Sequence, residues 1–384
     1  MKVVVAPNPF KGSLGAREVA QAMEAGVRRV WPGCDVVRVP LADGGEGTLA
    51  ALVLAAGGRV VTREVTGPLG DRVAARLGFL DGGATAVVEA AQAAGLTLVP
   101  PGRLDPLGAT THGVGELIAA ALDAGCRRVV VGIGGTATVD GGVGMASALG
   151  ARFLDGDGRP VARGGAGLGA IRAVDARGLD PRLRQVEVVA AVDVDNPLCG
   201  PDGAARVFGP QKGATPAMVA ELDAGLENLA AVVRRDLGRD RSRDAGAGAA
   251  GGLGFALMAF LNAALRPGAE VVMTAAGLEG HLEGASLVIT GEGCLDSQTE
   301  RGKGPAAVAR LARRAGVPVV AVVGSLAGLP DAAGLGFDAI VCTYPGPVPL
   351  QQVMRQAGEL LASATEQACR LVAAGAALAR AGRA

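Results

Sequence analysis

The chain has 384 residues, 37 basic and 37 acidic side chains, and 49% hydrophobic residues. This length allows two domains, and the hydrophobic content excludes an intrinsically disordered chain. A net charge of zero and an aromatic content of 2% predict no nucleic-acid partner and no attraction to an anionic membrane surface.

The first elements alternate between strand and helix. Residues 2–6 form an apolar run that predicts a buried strand, and apolar residues at helical spacing follow it over residues 16–30. A second strand at 35–39 and a second helix at 48–56 repeat the arrangement. This succession is typical of an α/β protein with a mostly parallel sheet.

The sheet changes character near residue 70. The strands predicted at 72–80 and 84–90 flank Asp81-Gly82-Gly83, which indicates an antiparallel hairpin. Helices are then predicted at 117–126 and 216–237, and strands at 127–133, 185–194, 286–290, 317–323 and 339–343.

These elements predict an α/β fold with two domains. A parallel-sheet domain is built from residues 1–70 and 285–384, and a mixed α/β domain, residues 71–284, is inserted into it.

Cysteine spacing and hydropathy indicate where such a chain works. The six cysteines show no metal-ligand spacing, and the first residues carry no signal-peptide pattern. The longest uncharged run, 245–265, starts with a cluster of glycines, which favours a loop and a buried helix over a membrane span. We therefore expect a cytoplasmic enzyme with a small-molecule substrate.

A glycine-rich segment at residues 132–145 follows a predicted strand and precedes a helix. Glycine lets the backbone approach a ligand and point successive N–H groups at an anion. Gly134, Gly135, Thr136 and Thr138 are therefore candidate phosphate-binding residues. The chain contains no GxxxxGK[ST] loop, so this is not a Walker A site.

Two other function classes stay open from the residues alone. Gly246, Gly248 and Gly251 match GxGxxG but follow a charged segment rather than a strand, so a nicotinamide-dependent hydroxy-acid oxidoreductase is the weaker alternative. A non-catalytic sensor with a nucleotide or sugar-acid pocket is the second alternative.

Lysine is rare, with 4 residues among the 37 basic side chains. Lys11, Lys212 and Lys303 lie in loops rich in glycine and proline. A compact ammonium on such a loop suits contact with a phosphate.

Carboxylates occur in pairs at predicted strand ends. They are Asp43 and Glu46, Asp193 and Asp195, and Glu292 and Asp296. Strand-end carboxylates can bind Mg²⁺ together with substrate phosphates, or accept a proton from a substrate hydroxyl. Together with an anion-binding loop and isolated lysines, they are the parts that phosphoryl transfer requires.

The same loops carry a family resemblance. The segments APNPFKGSL, PLADGGEGT, GIGGTATVDGGVGM, DVDNPLCGPDGA, VFGPQKGAT, GAAGGLG and VITGEGCLDSQT occur in this order and resemble the type I glycerate kinase family over residues 1–345. The resemblance implies phosphorylation of D-glycerate by ATP with Mg²⁺, usually at the 2-hydroxyl to give 2-phosphoglycerate, with 3-phosphoglycerate as the alternative product. It also implies that the first of the two domains is Rossmann-like and that the active site lies in the cleft between this domain and the inserted one. We expect a monomer or a homodimer.

Carried over residue by residue, the resemblance predicts a complete site. The predicted catalytic residues are Lys11, Asp193 and Asp195, of which Lys11 would hold the transferred phosphate or the glycerate carboxylate. The predicted nucleotide-binding residues are Gly134, Gly135, Thr136, Thr138, Lys212, Asp296 and Gln298. The predicted Mg²⁺ ligands are Asp43, Glu46 and Glu292, and the sequence does not separate the base from the metal ligands.

This chain departs from the family pattern at three places. Asn8-Pro9 stands where the family often has Asp-Ser, His112 where it commonly has Tyr or Phe, and Cys294 where it commonly has Arg. Asn8 offers a metal ion an oxygen ligand but no charge.

Overall fold

The structure, a computed structural model, describes residues 1–10, 12–42, 45, 47–296, 304–328, 332–344 and 346–381. The strands are β1 (Lys2–Val5), β2 (Asp35–Arg38), β3 (Arg59–Thr66), β4 (Arg72–Leu80), β5 (Thr85–Glu89), β6 (Arg128–Gly132), β7 (Arg152–Leu154), β8 (Ala173–Asp175), β9 (Glu187–Ala191), β10 (Ala264–Arg266), β11 (Leu287–Thr290), β12 (Cys294–Leu295), β13 (Val319–Val323), β14 (Ser325–Leu326) and β15 (Ala339–Cys342). The helices are α1 (Ala16–Val30), α2 (Thr48–Ala56), α3 (Ala91–Ala94), α4 (His112–Asp123), α5 (Val143–Ala148), α6 (Ala204–Phe208), α7 (Pro216–Leu237), α8 (Ala249–Leu261), α9 (Gly268–Ala275), α10 (Leu278–Leu282), α11 (Gly304–Arg314), α12 (Ala332–Leu335), α13 (Leu350–Arg355) and α14 (Ala357–Ala381).

The chain divides into two compact units. The first consists of Met1–Asp43, Ala50–Ala56 and Ala269–Ala384. Its sheet has the order β15-β13-β11-β1-β2, and every neighbouring pair is parallel. The central strands consist mostly of buried Val and Ile residues, as expected for a parallel sheet covered on both faces.

Helices α1 and α14 pack closely in the first unit. A Cβ at Gly26 of α1 would lie 2.3 Å from the carbonyl oxygen of Ala362, so only glycine permits this approach. Val19, Met23 and Val27 of α1 are fully buried. The amphipathic pattern that predicts α1 therefore also identifies the face that packs inward.

The second unit consists of Gly44–Leu49 and Gly57–Gly268. Its sheet has the order β10-β9-β6-β5-β4-β3. The pairs from β10 to β5 are parallel, whereas β5 with β4 and β4 with β3 are antiparallel. A large apolar core contains residues of this sheet together with residues of α4, α7 and α8.

The predicted α/β class with a parallel sheet is confirmed. The 72–80 and 84–90 hairpin is observed as β4 and β5 in antiparallel register, and α7 has the predicted limits. One helix differs from its prediction: α4 begins at His112 rather than at residue 117. Gly113 and Gly115 weaken helix propensity there, but a Cβ at Gly115 would lie 2.4 Å from the carbonyl oxygen of Met145, so close packing against α5 accounts for the glycine.

The predicted two-domain division, with limits at residues 70 and 285, stays a prediction. The compact units change at Gly44, Ala50, Gly57 and Ala269. The second unit includes the chain from Gly57, and not only from residue 71, because β3, which sequence reasoning missed, pairs with β4. Most side chains of β3 are exposed, so it lacks the apolar alternation that identifies a strand.

The uncharged run at 245–265 contains α8, whose residues are almost all buried in the core of the second unit. Across the residues that the structure describes, we find no helix with both the length and the apolar character that a bilayer crossing requires.

Candidate functional site

Three parallel strands of the second unit end side by side. Glu89 at the end of β5 is in register with Gly132 at the end of β6, which in turn is in register with Ala191 at the end of β9. The loops that follow these strands therefore lie at one edge of the sheet. In α/β sheets, ligands bind outside the carboxyl ends of the strands.

The glycine-rich loop follows β6 at this edge. The carbonyl of Gly135 accepts a hydrogen bond from the Leu96 amide at 2.9 Å, and the Ala137 amide donates to the Ala94 carbonyl at 2.8 Å. Gly135 is exposed, with φ 77°, and Gly134 is half-buried. No hydrogen bond within the described chain engages the amides of Gly134 and Gly135. These two amides can therefore receive an anion.

Asp140 holds the end of this loop in place from the protein interior. Its buried carboxylate accepts hydrogen bonds from the Thr111 amide (2.8 Å), the Thr111 hydroxyl (2.9 Å), the Gly142 amide (3.0 Å) and the Gly144 amide (3.2 Å). Thr111 Oγ1 also accepts from the amide of Met145. Burial raises the pKa of Asp140, and the Thr111, Gly142 and Gly144 donors oppose that rise. Asp140 therefore caps the start of α5 and is not exposed to a ligand.

Lys212 is also buried beneath the loop, with 2% of its surface exposed. Its Nζ donates to the Thr138 carbonyl oxygen at 2.7 Å and lies 3.4 Å from Thr136 Oγ1. Burial lowers the pKa of Lys212 to about 7, against the opposing attraction of Asp140. The structure thus brings together three predicted nucleotide-binding residues, but it places their side chains under the loop.

Thr136 and Thr138 are themselves buried, at 2% and 0% exposure. Thr138 Oγ1 has no hydrogen-bond partner within the described residues. Sequence reasoning selected the glycines and the threonines as one set, whereas the structure separates them. Gly134 and Gly135 form the outer part of the loop, and the threonines form its inner part.

The loop after β9 carries Asp193 and Asp195. Asp193 is half-buried, and its Oδ1 accepts a hydrogen bond from the Gly268 amide at 2.9 Å. Asp195 is exposed. The two predicted catalytic carboxylates therefore differ, because one is held by the backbone and the other reaches solvent.

Glu89 is a residue that sequence reasoning missed. It is 1% exposed, and its carboxylate oxygens accept from the amides of Gly47 (3.2 Å) and Leu49 (3.1 Å) at the start of α2. Burial raises the pKa of Glu89, and the Leu49 and Gly47 amides oppose the rise. An acidic residue that ends an apolar strand is the sequence signal that could have identified it.

The first unit contains a separate cavity of about 410 Å³ at the carboxyl ends of β1, β11, β13 and β15. Its lining includes Asn8, Glu292 and Asp296. Asn8 is 2% exposed, and its backbone N–H donates to the Gly291 carbonyl at 2.9 Å. The predicted metal ligand Glu292 and the predicted nucleotide-binding residue Asp296 thus meet in one cavity.

Four predicted site residues, Lys11, Asp43, Glu46 and Gln298, lie outside the described residues. Among the residues that are described, no group of three or more His, Cys, Asp or Glu side chains is placed to hold a metal ion. Mg²⁺ is usually held by one or two carboxylates together with substrate phosphates. The oxygen donors of Asn8, Glu292 and Asp296 fit that pattern.

The GxGxxG match does not have the setting that a dinucleotide site requires. Gly246 and Gly248 precede α8, and Gly251 lies in its first turn. The residues directly before Gly246 form no strand. A dinucleotide fingerprint needs a strand there, so the oxidoreductase alternative gains no support from this segment.

Comparison with known proteins identifies the family. A sequence model of the glycerate kinase family matches residues 3–373. The chain is 47% identical over 381 residues to a glycerate kinase of Bacillus subtilis (strain 168), covering 99% of each chain. It is 46% identical over 379 residues to a glycerate 2-kinase of Escherichia coli (strain K12), covering 98% of this chain and 99% of the relative.

A crystal structure assigned to glycerate kinase 2 of Salmonella typhimurium LT2 is also similar, with a TM-score of 0.89 and 48% identity. The similarity covers 98% of this chain and 99% of that structure. The sequence similarity to these relatives and the fold similarity to the crystal structure therefore extend along nearly the whole chain. The chain belongs to the glycerate kinase family and is an enzyme of that family.

Proposed function

We propose that this enzyme transfers the γ-phosphoryl group of ATP to the 2-hydroxyl of D-glycerate, giving 2-phosphoglycerate and ADP. Membership of the glycerate kinase family supports the substrate. The choice of the 2-hydroxyl is supported by the 46% identical Escherichia coli relative named glycerate 2-kinase.

The observation that carries the proposal is the edge of the second sheet where β6 and β9 end. Gly134 and Gly135 present amides that no described hydrogen bond uses, and the adjacent strand leads to Asp193 and Asp195. An anion-binding loop beside strand-end carboxylates supplies positioning and charge stabilisation, which dominate catalysis of phosphoryl transfer.

In the proposed reaction, the glycerate 2-hydroxyl oxygen forms a bond to the γ-phosphorus of ATP, and the bond from that phosphorus to the β,γ-bridging oxygen breaks. ADP leaves, and the hydroxyl proton passes to a carboxylate. Asp195 is the better proton acceptor of the two, because Asp193 already accepts from the Gly268 amide. Lys11, by resemblance, would hold the transferred phosphate.

Mg²⁺ would neutralise charge on the phosphates. The predicted ligands are Asp43, Glu46 and Glu292, of which Glu292 lies in the cavity of the first unit. Carboxylate oxygens are the donors that this hard cation prefers.

Incubation of the protein with ATP, Mg²⁺ and D-glycerate tests the proposal directly. Phosphorus NMR should show the resonance of 2-phosphoglycerate together with ADP, and L-glycerate and a reaction containing a chelator serve as controls. A 3-phosphoglycerate resonance would move the reaction to the other hydroxyl. Absence of any phosphorylated acid, with reduction of a nicotinamide cofactor instead, would overturn the proposal.

A further inference from the structure

Apart from Glu292, the predicted Mg²⁺ ligand, the residues that line the cavity of the first unit have no role in the proposed reaction. It lies where β1, β11, β13 and β15 end and has a volume of about 410 Å³. This volume falls in the range of pockets that bind whole small molecules. It is much larger than a three-carbon acid needs.

One wall of the cavity is apolar. It is formed by Phe10 after β1 and by Leu350, Val353 and Met354 of α13. D-Glycerate has almost no apolar surface to place against such a wall, whereas a purine ring has two flat apolar faces. Burial of those faces against aromatic and aliphatic side chains is favourable.

The charged residues of the cavity also favour a nucleoside over glycerate. Among the described lining residues, the charged side chains are Glu292 and Asp296, and both are acidic. Carboxylates repel the carboxylate of glycerate but accept hydrogen bonds from ribose hydroxyls, as an acidic residue does in dinucleotide-binding folds. The lining therefore favours a neutral nucleoside.

Hydrogen bonds hold the segments that form the apolar wall. The Phe10 amide donates to the Leu14 carbonyl at 2.9 Å, and the Leu14 amide returns a bond to Phe10 at 3.0 Å. The hydroxyl of Tyr344, another lining residue, donates to the Val348 carbonyl at 2.6 Å, two residues before α13 begins. A wall fixed in this way loses little conformational entropy when a ligand binds.

We propose that this cavity binds the nucleoside part of the phosphoryl donor. The purine ring lies against Phe10, Val353 and Met354, and a ribose hydroxyl donates to Asp296. The inference rests on the proposed function for the presence of a nucleotide, but it assigns a binding role to α13, which the sequence motifs did not select.

Calorimetry with adenosine in the presence of a chelator tests the cavity without phosphates or metal. Met354→Trp should fill the cavity and weaken adenosine binding by about tenfold or more. Gln351→Trp is the matched control, because Gln351 is exposed on the same helix and is not among the residues that line the cavity. This variant should bind adenosine with the affinity of the unmodified protein. Thermal melting by circular dichroism verifies that both variants fold.

A comparison of two nucleosides tests the proposed contact between the ribose and Asp296. The unmodified protein should bind adenosine more tightly than 2′,3′-dideoxyadenosine, and Asp296→Ala should remove that difference. Equal affinity for the two nucleosides in the unmodified protein would contradict the contact with Asp296.

A second measurement needs no substitution. Cys294 lines the cavity and is exposed, whereas Cys342 is exposed but is not among the lining residues. Adenosine should slow alkylation of Cys294 while leaving Cys342 unchanged, as followed by peptide mass spectrometry. Equal alkylation rates with and without adenosine would count against the site.

The outcomes separate this inference from the proposed function. If the protein phosphorylates glycerate with ATP but Met354→Trp binds adenosine as the unmodified protein does, the nucleoside site is wrong and the function stands. If adenosine binds as expected and protects Cys294 but glycerate is not phosphorylated, the function is wrong and the nucleoside site stands. If adenosine does not bind at all, the inference is overturned.

Discussion

The glycine-rich loop of the second unit and the cavity of the first unit both lie at the carboxyl ends of parallel strands, yet they use charged residues differently. Beneath the loop, Asp140 and Lys212 are buried and bonded to backbone atoms. In the cavity, Glu292 and Asp296 are half-buried and line a space large enough for a ligand.

The difference shows that a charged residue at a strand end has two possible uses. A buried charge bonded to amides shapes the loop, and its removal leaves unsatisfied donors. A charge on a cavity wall contacts the ligand, and its removal changes binding or turnover with little effect on folding. Measuring stability and activity in the same variants separates the two uses.

Asp140→Ala should give the largest effect on stability. The change leaves the buried amides of Thr111, Gly142 and Gly144 without their acceptor, and we expect a loss of about 3 to 5 kcal/mol in the free energy of unfolding. Urea denaturation measures this loss. Asp157→Ala is the control, because that carboxylate is exposed in a turn; equal losses in the two variants would show that Asp140 does not hold the loop.

Asp195→Asn should affect turnover and not stability. If the exposed carboxylate accepts the hydroxyl proton, kcat should fall on the order of 10² to 10³, while the free energy of unfolding changes by less than about 0.5 kcal/mol. Steady-state kinetics with ATP and D-glycerate tests this. Asp193→Asn is the comparison: if only that variant loses turnover, the proton acceptor is Asp193, and if neither does, the proton-acceptor hypothesis is wrong.

Glu89→Ala should have an intermediate effect. The side chain accepts from the Gly47 and Leu49 amides, and loss of such a cap costs about 1 to 2 kcal/mol of stability. Because Gly47 directly follows the predicted Mg²⁺ ligand Glu46, the variant should also need more Mg²⁺ for half-maximal activity. Glu64→Ala, on the exposed part of β3, is the control and should change neither the stability nor the Mg²⁺ requirement. If Glu89→Ala lowers stability but leaves the Mg²⁺ requirement unchanged, Glu89 caps α2 without an effect on the metal site.

Much of the fold follows from local signals in the sequence. Helix α7 has the predicted limits because Thr215 caps it, accepting from the Met218 amide at 3.3 Å, and Gly238 ends it in the left-handed region with φ 66°. Strand order, in contrast, does not follow from local signals. The position of β11 between β1 and β13 depends on pairing between residues far apart in the chain. No local pattern encodes it.

The candidate site was predictable in residue type but not in burial. The sequence places Thr138 and Gly135 in the same loop with equal weight, yet only the fold shows that Thr138 is buried and Gly135 is exposed. Lys212 shows the same limit, because its glycine-rich surroundings suggest a phosphate contact while the structure covers its ammonium. Burial depends on which other segments pack over a loop, and that information is not local.

Lys212→Met should change the pH dependence of the free energy of unfolding. Burial lowers the pKa of Lys212 from 10.5 to about 7, so between these two values the unfolded chain holds a proton that the folded protein has lost. The free energy of unfolding then rises with pH across this window, by at most about 1.4 kcal/mol per pH unit, and the contribution of Lys212 is constant below it.

Methionine has a similar length and no charge, so Lys212→Met should remove that rise while preserving the fold. Urea denaturation of both proteins at several pH values between about 6 and 9.5 measures the difference in slope. Parallel curves would mean that Lys212 stays protonated in the folded protein throughout this range. The ammonium would then be a permanent cation beneath the loop, and its attraction for Asp140 would outweigh the cost of its burial.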